Sequence, residues 1–496
     1  MKRLFLALPA LLGLATLGGC TLAPHYQRPQ SPVPNRWPSD TPPATDTAPG
    51  GSKPGVSADQ IGWREFFTDP HLQRLIGIAL ENNRNLRIAV LNVEASEAQF
   101  RVQRGNLFPA ISATGSAVID RLPANGAVPP GSLGGSGGSA SGPSEEATTL
   151  RYYEAGIGFT NYELDLFGRQ RSLTTTAFEQ YLAQSETRRS TQISLVSQVA
   201  SGYLTVLADS ALVKLTRETL RAETESYELT RAMYERETTT LLSLRQAESA
   251  VDVARANLAQ YQRQLAQDSH ALTLLLGQEI PPDLLLGMDL EDQGLLAELP
   301  AGLPSDLLTH RPDILSAEHA LRSANANIGA ARAAFFPSID LTGFGGTASN
   351  RLGDLFGGGT GTWSFAPTIS LPLFAGGQNR ANLDLAHVEK NIAVAQYELA
   401  IQTAFREVSD ALSARGTYVE QRRAQEELVA ADAEAYHLAE MRFRSGVDSY
   451  LATLDAQRSL YAAQQTLVTV RQAELANQVT LYKALGGGWE QHTASP

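Results

Sequence analysis

The chain has 496 residues, 43% of them hydrophobic, and a mean hydropathy of −0.17, which excludes wholesale disorder. Acidic residues outnumber basic ones 52 to 40, for a formal charge of −12, so a nucleic-acid partner is excluded for want of a basic surface. One cysteine rules out both an intrachain disulfide and a cysteine-based zinc site.

The first element in chain order is a leader. Met1-Lys2-Arg3 is a positive start, and Leu4 to Leu17 is apolar or small throughout. That run is too short to cross about 30 Å of hydrocarbon as a helix, so 1–19 reads as a cleavable signal peptide. Leu17-Gly18-Gly19-Cys20 resembles a bacterial lipobox. The resemblance implies cleavage before Cys20, a diacylglyceryl thioether on its sulfur and a fatty acyl group such as palmitate on its amine. Thr21 stands where an aspartate would favour the inner membrane, so the same resemblance implies the outer membrane. Residues 20–60 then form an acylated N-terminal tether, rich in Pro, Thr, Ser and Asp from Pro24 to Pro54. Order is expected from Ile61-Gly62-Trp63.

Within 61–280, Ile111, Ala113, Ala117 and Ile119 alternate with small polar residues, as do Tyr153, Ala155, Ile157 and Phe159. Period two with one apolar and one small or polar face marks membrane β-strands. The connection Arg121–Leu150 is Gly/Ser-rich and reads as a loop. Its Gly134-Gly135-Ser136-Gly137-Gly138 matches a nucleophile elbow in form, but no strand–turn–helix surrounds it, so no catalytic site is assigned. Proline is absent from Pro143 to Pro281, and Arg169 to Leu276 contains only Gly202 among glycines, which predicts long helices. Leu244, Val251, Leu258, Leu265 and Leu272 recur every seven residues, and Ile193, Val196, Ala200, Tyr203 and Leu207 step by three and four. These are coiled-coil spacings.

A connecting equatorial segment, 281–310, precedes the second half, 311–489, and a tail, 490–496. The second half repeats the first. Ser338–Gly345 and Trp363–Leu373 are strand candidates, joined by a loop over Ala348–Gly361, and Gln378 to Leu485 is again helical. Arg104–Ile111 matches Arg332–Ile339, Leu164–Phe167 matches Leu371–Phe374, and Leu276-Gly277 matches Leu485-Gly486. Each half therefore reads helix, two strands, long helix, turn, returning helix. No stretch of 18 uncharged apolar residues follows the leader, so any membrane-spanning part must be a β-barrel. One chain supplies four strands, about eight close a barrel filled by its own side chains, and an open pore needs more. Three chains give twelve. The predicted fold is mainly α with a membrane β part: a trimeric 12-stranded barrel continued by a long periplasmic α-helical coiled-coil barrel.

With these elements the chain resembles the TolC-like outer-membrane efflux proteins, close to the OprM-type lipoprotein branch, from Trp63 to Trp489. The resemblance rests on Tyr162-Glu163-Leu164-Asp165-Leu166-Phe167-Gly168-Arg169, Arg311-Pro312-Asp313-Ile314, Gly446-Val447-Asp448-Ser449-Tyr450-Leu451, Leu454-Asp455-Ala456-Gln457-Arg458 and Leu481–Trp489. It implies a homotrimer in outer-membrane lipid that serves as exit duct of a tripartite pump, with a periplasmic adaptor (membrane fusion) protein and an inner-membrane transporter of the resistance-nodulation-division type. An outlet for type I protein secretion has the same fold. A non-pore periplasmic scaffold lipoprotein would account for the helices, but not for the alternating Trp363–Leu373 segment.

A passive duct needs no nucleophile and no cofactor beyond the lipid on Cys20, and the eight histidines include neither HExxH nor an i, i+4 pair that would hold a metal. The resemblance assigns the adaptor-contacting tip to Arg444, Gly446, Val447 and Ser449, with Thr238, Thr239 and Thr240 in the first-half turn. That turn lacks the glycine usual in the family. Ser449 is expected to cap the returning helix. Leu451 and Asp455, four apart on one helix face, would close the duct as a leucine ring and an aspartate ring.

Overall fold

The computed structural model describes residues 21–37, 58–122, 147–284, 289–295, 299 and 307–493. Cys20, the Gly134–Gly138 stretch and part of the 281–310 connection lie outside the described residues. In chain order the main elements are α1 (Pro70–Asn82), α2 (Arg84–Gly105), β1 (Ser112–Leu122), β2 (Thr148–Glu163), α3 (Arg169–Glu235), α4 (Leu241–Leu276), α5 (Pro312–Ala333), β3 (Ser338–Ser349), β4 (Gly361–Ser370), α6 (Gln378–Arg444) and α7 (Tyr450–Ala484).

The internal duplication is explicit in these lengths. Both α3 and α6 have 67 residues, α4 and α7 have 36 and 35, and α2 and α5 have 22 each. A 67-residue helix measures about 100 Å at 1.5 Å per residue. A glycine with positive φ precedes each long helix, Gly168 at 75° and Gly377 at 85°, which turns the chain from strand into helix.

The chain forms two compact units. The first combines Ser96–Tyr181 and Ala320–Ala393 with the described part of Met1–Arg28. Its centre is one four-stranded sheet in the order β1-β2-β3-β4, antiparallel throughout. The register places Ala113, Ile157, Gly345 and Trp363 in one row, and Phe159, Gly343 and Phe365 in another. These rows share a face on which Ile119, Ile157, Trp363, Phe365 and Ile369 are exposed, while Ser112, Thr114, Ser364, Thr368 and Ser370 lie on the other. A β-bulge at Phe159/Tyr162 breaks the ladder, with Asn161 in the left-handed region at φ 54°.

The strand limits differ from expectation in two ways. Both connections are shorter than predicted: β1 continues to Leu122, β2 starts at Thr148, and Leu352–Asp354 forms a 3-10 turn between β3 and β4. β4 stops at Ser370 although the alternation runs to Leu373, because Pro372 has no N–H to offer a ladder. Pro367 lies inside β4, the last strand of the described sheet, a position where a residue without an N–H is tolerated.

Residues 21–37 have no helix or strand but are not loose. In the first unit the Asn325 and Arg332 side chains donate to the carbonyls of Pro24 and Leu22, at 2.7 and 3.1 Å, and Arg322 lies over the Tyr26 ring. A Cβ on Gly329 would come within 2.8 Å of Ala23, so the glycine makes room for this segment.

The second unit contains Pro29–Ala95, Leu182–His319 and Val394–Pro496. Its core gathers Trp63, Phe66, Phe67, Leu72, Leu75, Ile76, Tyr203 and Tyr482, with Phe66 stacked on Tyr482 at 4.0 Å. The Tyr482 hydroxyl donates to the Ile61 carbonyl. The Arg311-Pro312-Asp313-Ile314 motif has a structural role here. Arg311, 6% exposed, donates to the Ala484 carbonyl at 2.9 Å and pairs with Asp313 and Glu407 at 2.6 and 2.9 Å. The most apolar 18-residue window of α3 is long enough to cross a membrane, yet 56% of it is buried inside the fold, as in a core helix. Ile193, Val196, Ala200, Tyr203 and Leu207 are all buried there.

Candidate functional site

The two helix–helix turns, Arg236–Thr240 and Ser445–Ser449, have the same backbone. In the first, the amides of Glu237 and Thr238 donate to the carbonyls of Tyr234 and Met233, each at 2.9 Å. In the second, the amides of Gly446 and Val447 donate to Phe443 and Arg442, again at 2.9 Å. This is the helix-ending arrangement in which one residue must turn left-handed. Gly446 does so at φ 73°, and Glu237 does so at φ 57°. The missing glycine therefore changes the side chain presented, not the path of the chain.

The side chains finish the two turns differently. Thr240 caps α4, its hydroxyl accepting from the Ser243 amide at 3.2 Å. Ser449 occupies the equivalent position before α7, but its side chain makes no capping bond, contrary to expectation; its backbone carbonyl accepts from Ala452. The second turn is instead braced by Arg442, whose Nε and Nη2 donate to the two carboxylate oxygens of Asp448 and keep that carboxyl below the usual range. Arg444 pairs with Glu440 at 2.7 Å. Thr238, which donates to the Met233 carbonyl, and Thr240 are exposed, Thr239 is half-buried, and Arg444, Gly446, Val447 and Ser449 are exposed.

The first turns of α7 are two-faced. Tyr450, Thr453, Leu454 and Gln457 are buried, and Tyr450 and Leu454 pack with Ala247, Ala250 and Phe443. Leu451 is 55% exposed, and Asp455, one turn on, is also exposed. The structure thus brings the two gate candidates together on one solvent-facing stripe, backed by a packed one. Among the described residues no group of three or more metal-ligating side chains gathers.

Sequence reasoning missed a polar seam. Asp209, Thr216, Glu223 and Thr230 of α3 are all buried, and they recur every seven residues. The repeat was visible as a spacing, but a search for apolar heptads passes over it. Thr216 and Tyr461 share a hydrogen bond at 2.8 Å. Asp209 faces the Asp268 carboxyl of α4, and burial followed by that neighbour raises its pKa. Burial pushes the Glu223 carboxyl up to about 7, against the opposing pull of Arg458.

A four-stranded sheet with one exposed apolar face and edges unpaired among the described residues, joined in one chain to two 67-residue helices, defines the class of outer-membrane channel proteins. The chain belongs to the outer membrane efflux protein family, whose model matches residues 75–278 and 303–487. It is 52% identical over 488 residues to the probable efflux pump outer membrane protein TtgC of Pseudomonas putida, covering 98% of this chain and 96% of that one. It is 41% identical to outer membrane protein OprJ of Pseudomonas aeruginosa, with coverage of 99% and 98%. The open-state MtrE outer membrane channel of Neisseria gonorrhoeae superposes with a TM-score of 0.83 at 38% identity, covering 96% of this chain and all of that one. The chain is a transport duct of the outer membrane, not an enzyme. Family and sheet together remove the scaffold alternative.

Proposed function

We propose that three copies of the chain close a 12-stranded barrel in outer-membrane lipid and form the exit duct of a tripartite, resistance-nodulation-division type drug-efflux pump. The observation that carries this reading is the sheet: among the described residues both edges are unpaired and the apolar side chains of one face are exposed, so strands from further copies complete it. Relatives named as toluene, solvent and antibiotic efflux components favour small-molecule export over type I protein secretion. A periplasmic adaptor engages the turns at Arg444, Gly446, Val447 and Ser449 and at Thr238, Thr239 and Thr240, and links the duct to an inner-membrane transporter. Cys20 carries the lipid that adds a second anchor to the membrane.

At the resting tip, three Leu451 side chains exclude water and three Asp455 carboxylates form a negative ring that repels itself and attracts cations. Both residues face away from the core, so replacing them leaves the α7 packing intact. Single-channel recording in planar bilayers tests the assignment. Leu451→Ala and Asp455→Ala are each expected to raise conductance without adaptor, and the double variant most of all. Folded variants that conduct like the parent would place the constriction elsewhere.

A further inference from the structure

Glu223 is a poor choice for a helix seam unless its charge state is used. It is 4% exposed, and its Oε2 has no hydrogen-bond partner among the described residues; nor has Oε1 of Gln457, which is 6% exposed. The groups around it come from three helices. On α3 itself lies Ser226, beside the Tyr450 hydroxyl. From α6 comes Tyr436, close to Glu440 and its partner Arg444. From α7 come Tyr450 and Arg458, while Ala247 and Ala250 of α4 pack on Tyr450. Arg458 is the one cation of the set that acts on the carboxyl, and it is exposed, so it neutralises a buried carboxylate incompletely.

Tyr450, which lies beside Glu223, and the buried Gln457 flank Leu451 and Asp455 in sequence, and the buried pair and the exposed pair occupy different faces of the same two turns. Any loss of packing on the Glu223 side therefore moves the other side. We propose that Glu223 is a positioning residue for the constriction: as a neutral acid it lets the first two turns of α7 pack on α3, and its ionisation releases them together with Leu451 and Asp455. The proposal rests on the reading of Leu451 and Asp455 as the gate.

The sign follows from the folded carboxyl binding its proton more tightly than a free one. Below about 4.5 the group is neutral in both states. As pH rises from there to about 7, the packed state keeps a proton that a released one loses, and above about 7 packing requires a buried charge. Packing therefore weakens as pH rises through neutrality.

Two measurements on the full-length channel separate the latch from the gate. Amide hydrogen exchange over residues 450–458, corrected for the intrinsic pH dependence, reads the packing of α7 directly; single-channel conductance reads the constriction. Between pH 6 and pH 8.5 the parent should lose several-fold protection and gain conductance, whereas Glu223→Gln, an isostere that stays neutral, should remain protected and closed throughout. Arg458→Gln removes the favourable cation, makes the buried charge costlier and should deepen the loss of protection above about pH 7. A parent with pH-independent protection, a Glu223→Gln channel that tracks the parent, or an Arg458→Gln channel that loses no more protection than the parent above about pH 7 would overturn the proposal. If protection responds as expected while Leu451→Ala/Asp455→Ala conducts like the parent, the latch stands and the gate assignment fails.

Discussion

Glu237 holds a left-handed backbone at φ 57° that costs an L-residue about 1–2 kcal/mol, partly offset by the lower chain entropy a side chain leaves to the unfolded state. Glycine already fills the matching place in the other half, as Gly446. Glu237→Gly is therefore expected to stabilise the protein by about 0.5–1 kcal/mol, read as a higher thermal midpoint, with conductance unchanged; a lower midpoint would mean that the carboxylate itself supports the turn. Such a backbone was not legible in the sequence. The turn showed only a missing glycine, and the constraint became visible once the hydrogen bonds of both turns could be set side by side. Glu223 was hidden for another reason. A single glutamate in a helix reads as solvated, and which face of α3 is covered depends on α6 and α7, far away in sequence.

The elements themselves were largely legible. Periodicity of two marked three of the strands and Ser338–Gly345 was a fourth candidate, and long stretches without proline marked the helices, because a proline inside a helix would remove a backbone donor. The ends were less legible: β4 stops at Ser370 for a local covalent reason, while the hydrophobic pattern continues past it. The glycines inside the strands had no sequence signature of their own, yet the sheet depends on them. Gly156 and Gly346 face each other across β2 and β3, and a Cβ on Gly346 would lie 2.6 Å from the Gly156 Cα. Gly346→Ala should lower stability by about 1–3 kcal/mol through overpacking and reduce the share of heat-resistant oligomer on semi-native gels. Full retention of that oligomer would show that the strands can spread apart at no cost.

At the scale of the whole molecule, the edges at β1 and β4, unpaired among the described residues, are completed by strands of further copies. Native mass spectrometry of detergent-solubilised protein should give three chains per particle, each beginning at Cys20 and heavier than its polypeptide by a diacylglyceryl and an acyl group. A stable conducting monomer would remove the barrel, and a mature chain of bare polypeptide mass would remove the lipid. Trimer closure was legible only as arithmetic on strand number, since nothing in one sequence states how many copies share a sheet.

The matched turns have a consequence for counting. Three copies present six turns of one backbone shape but two chemistries, a carboxylate at Glu237 alternating with bare main chain at Gly446. A partner that reads shape alone finds six equivalent seats; one that reads charge finds three. For an adaptor that docks on these turns, Glu237→Gly would make the duct's end sixfold at that one position, while Asp448 and its Arg442 partner would still mark the second kind of seat.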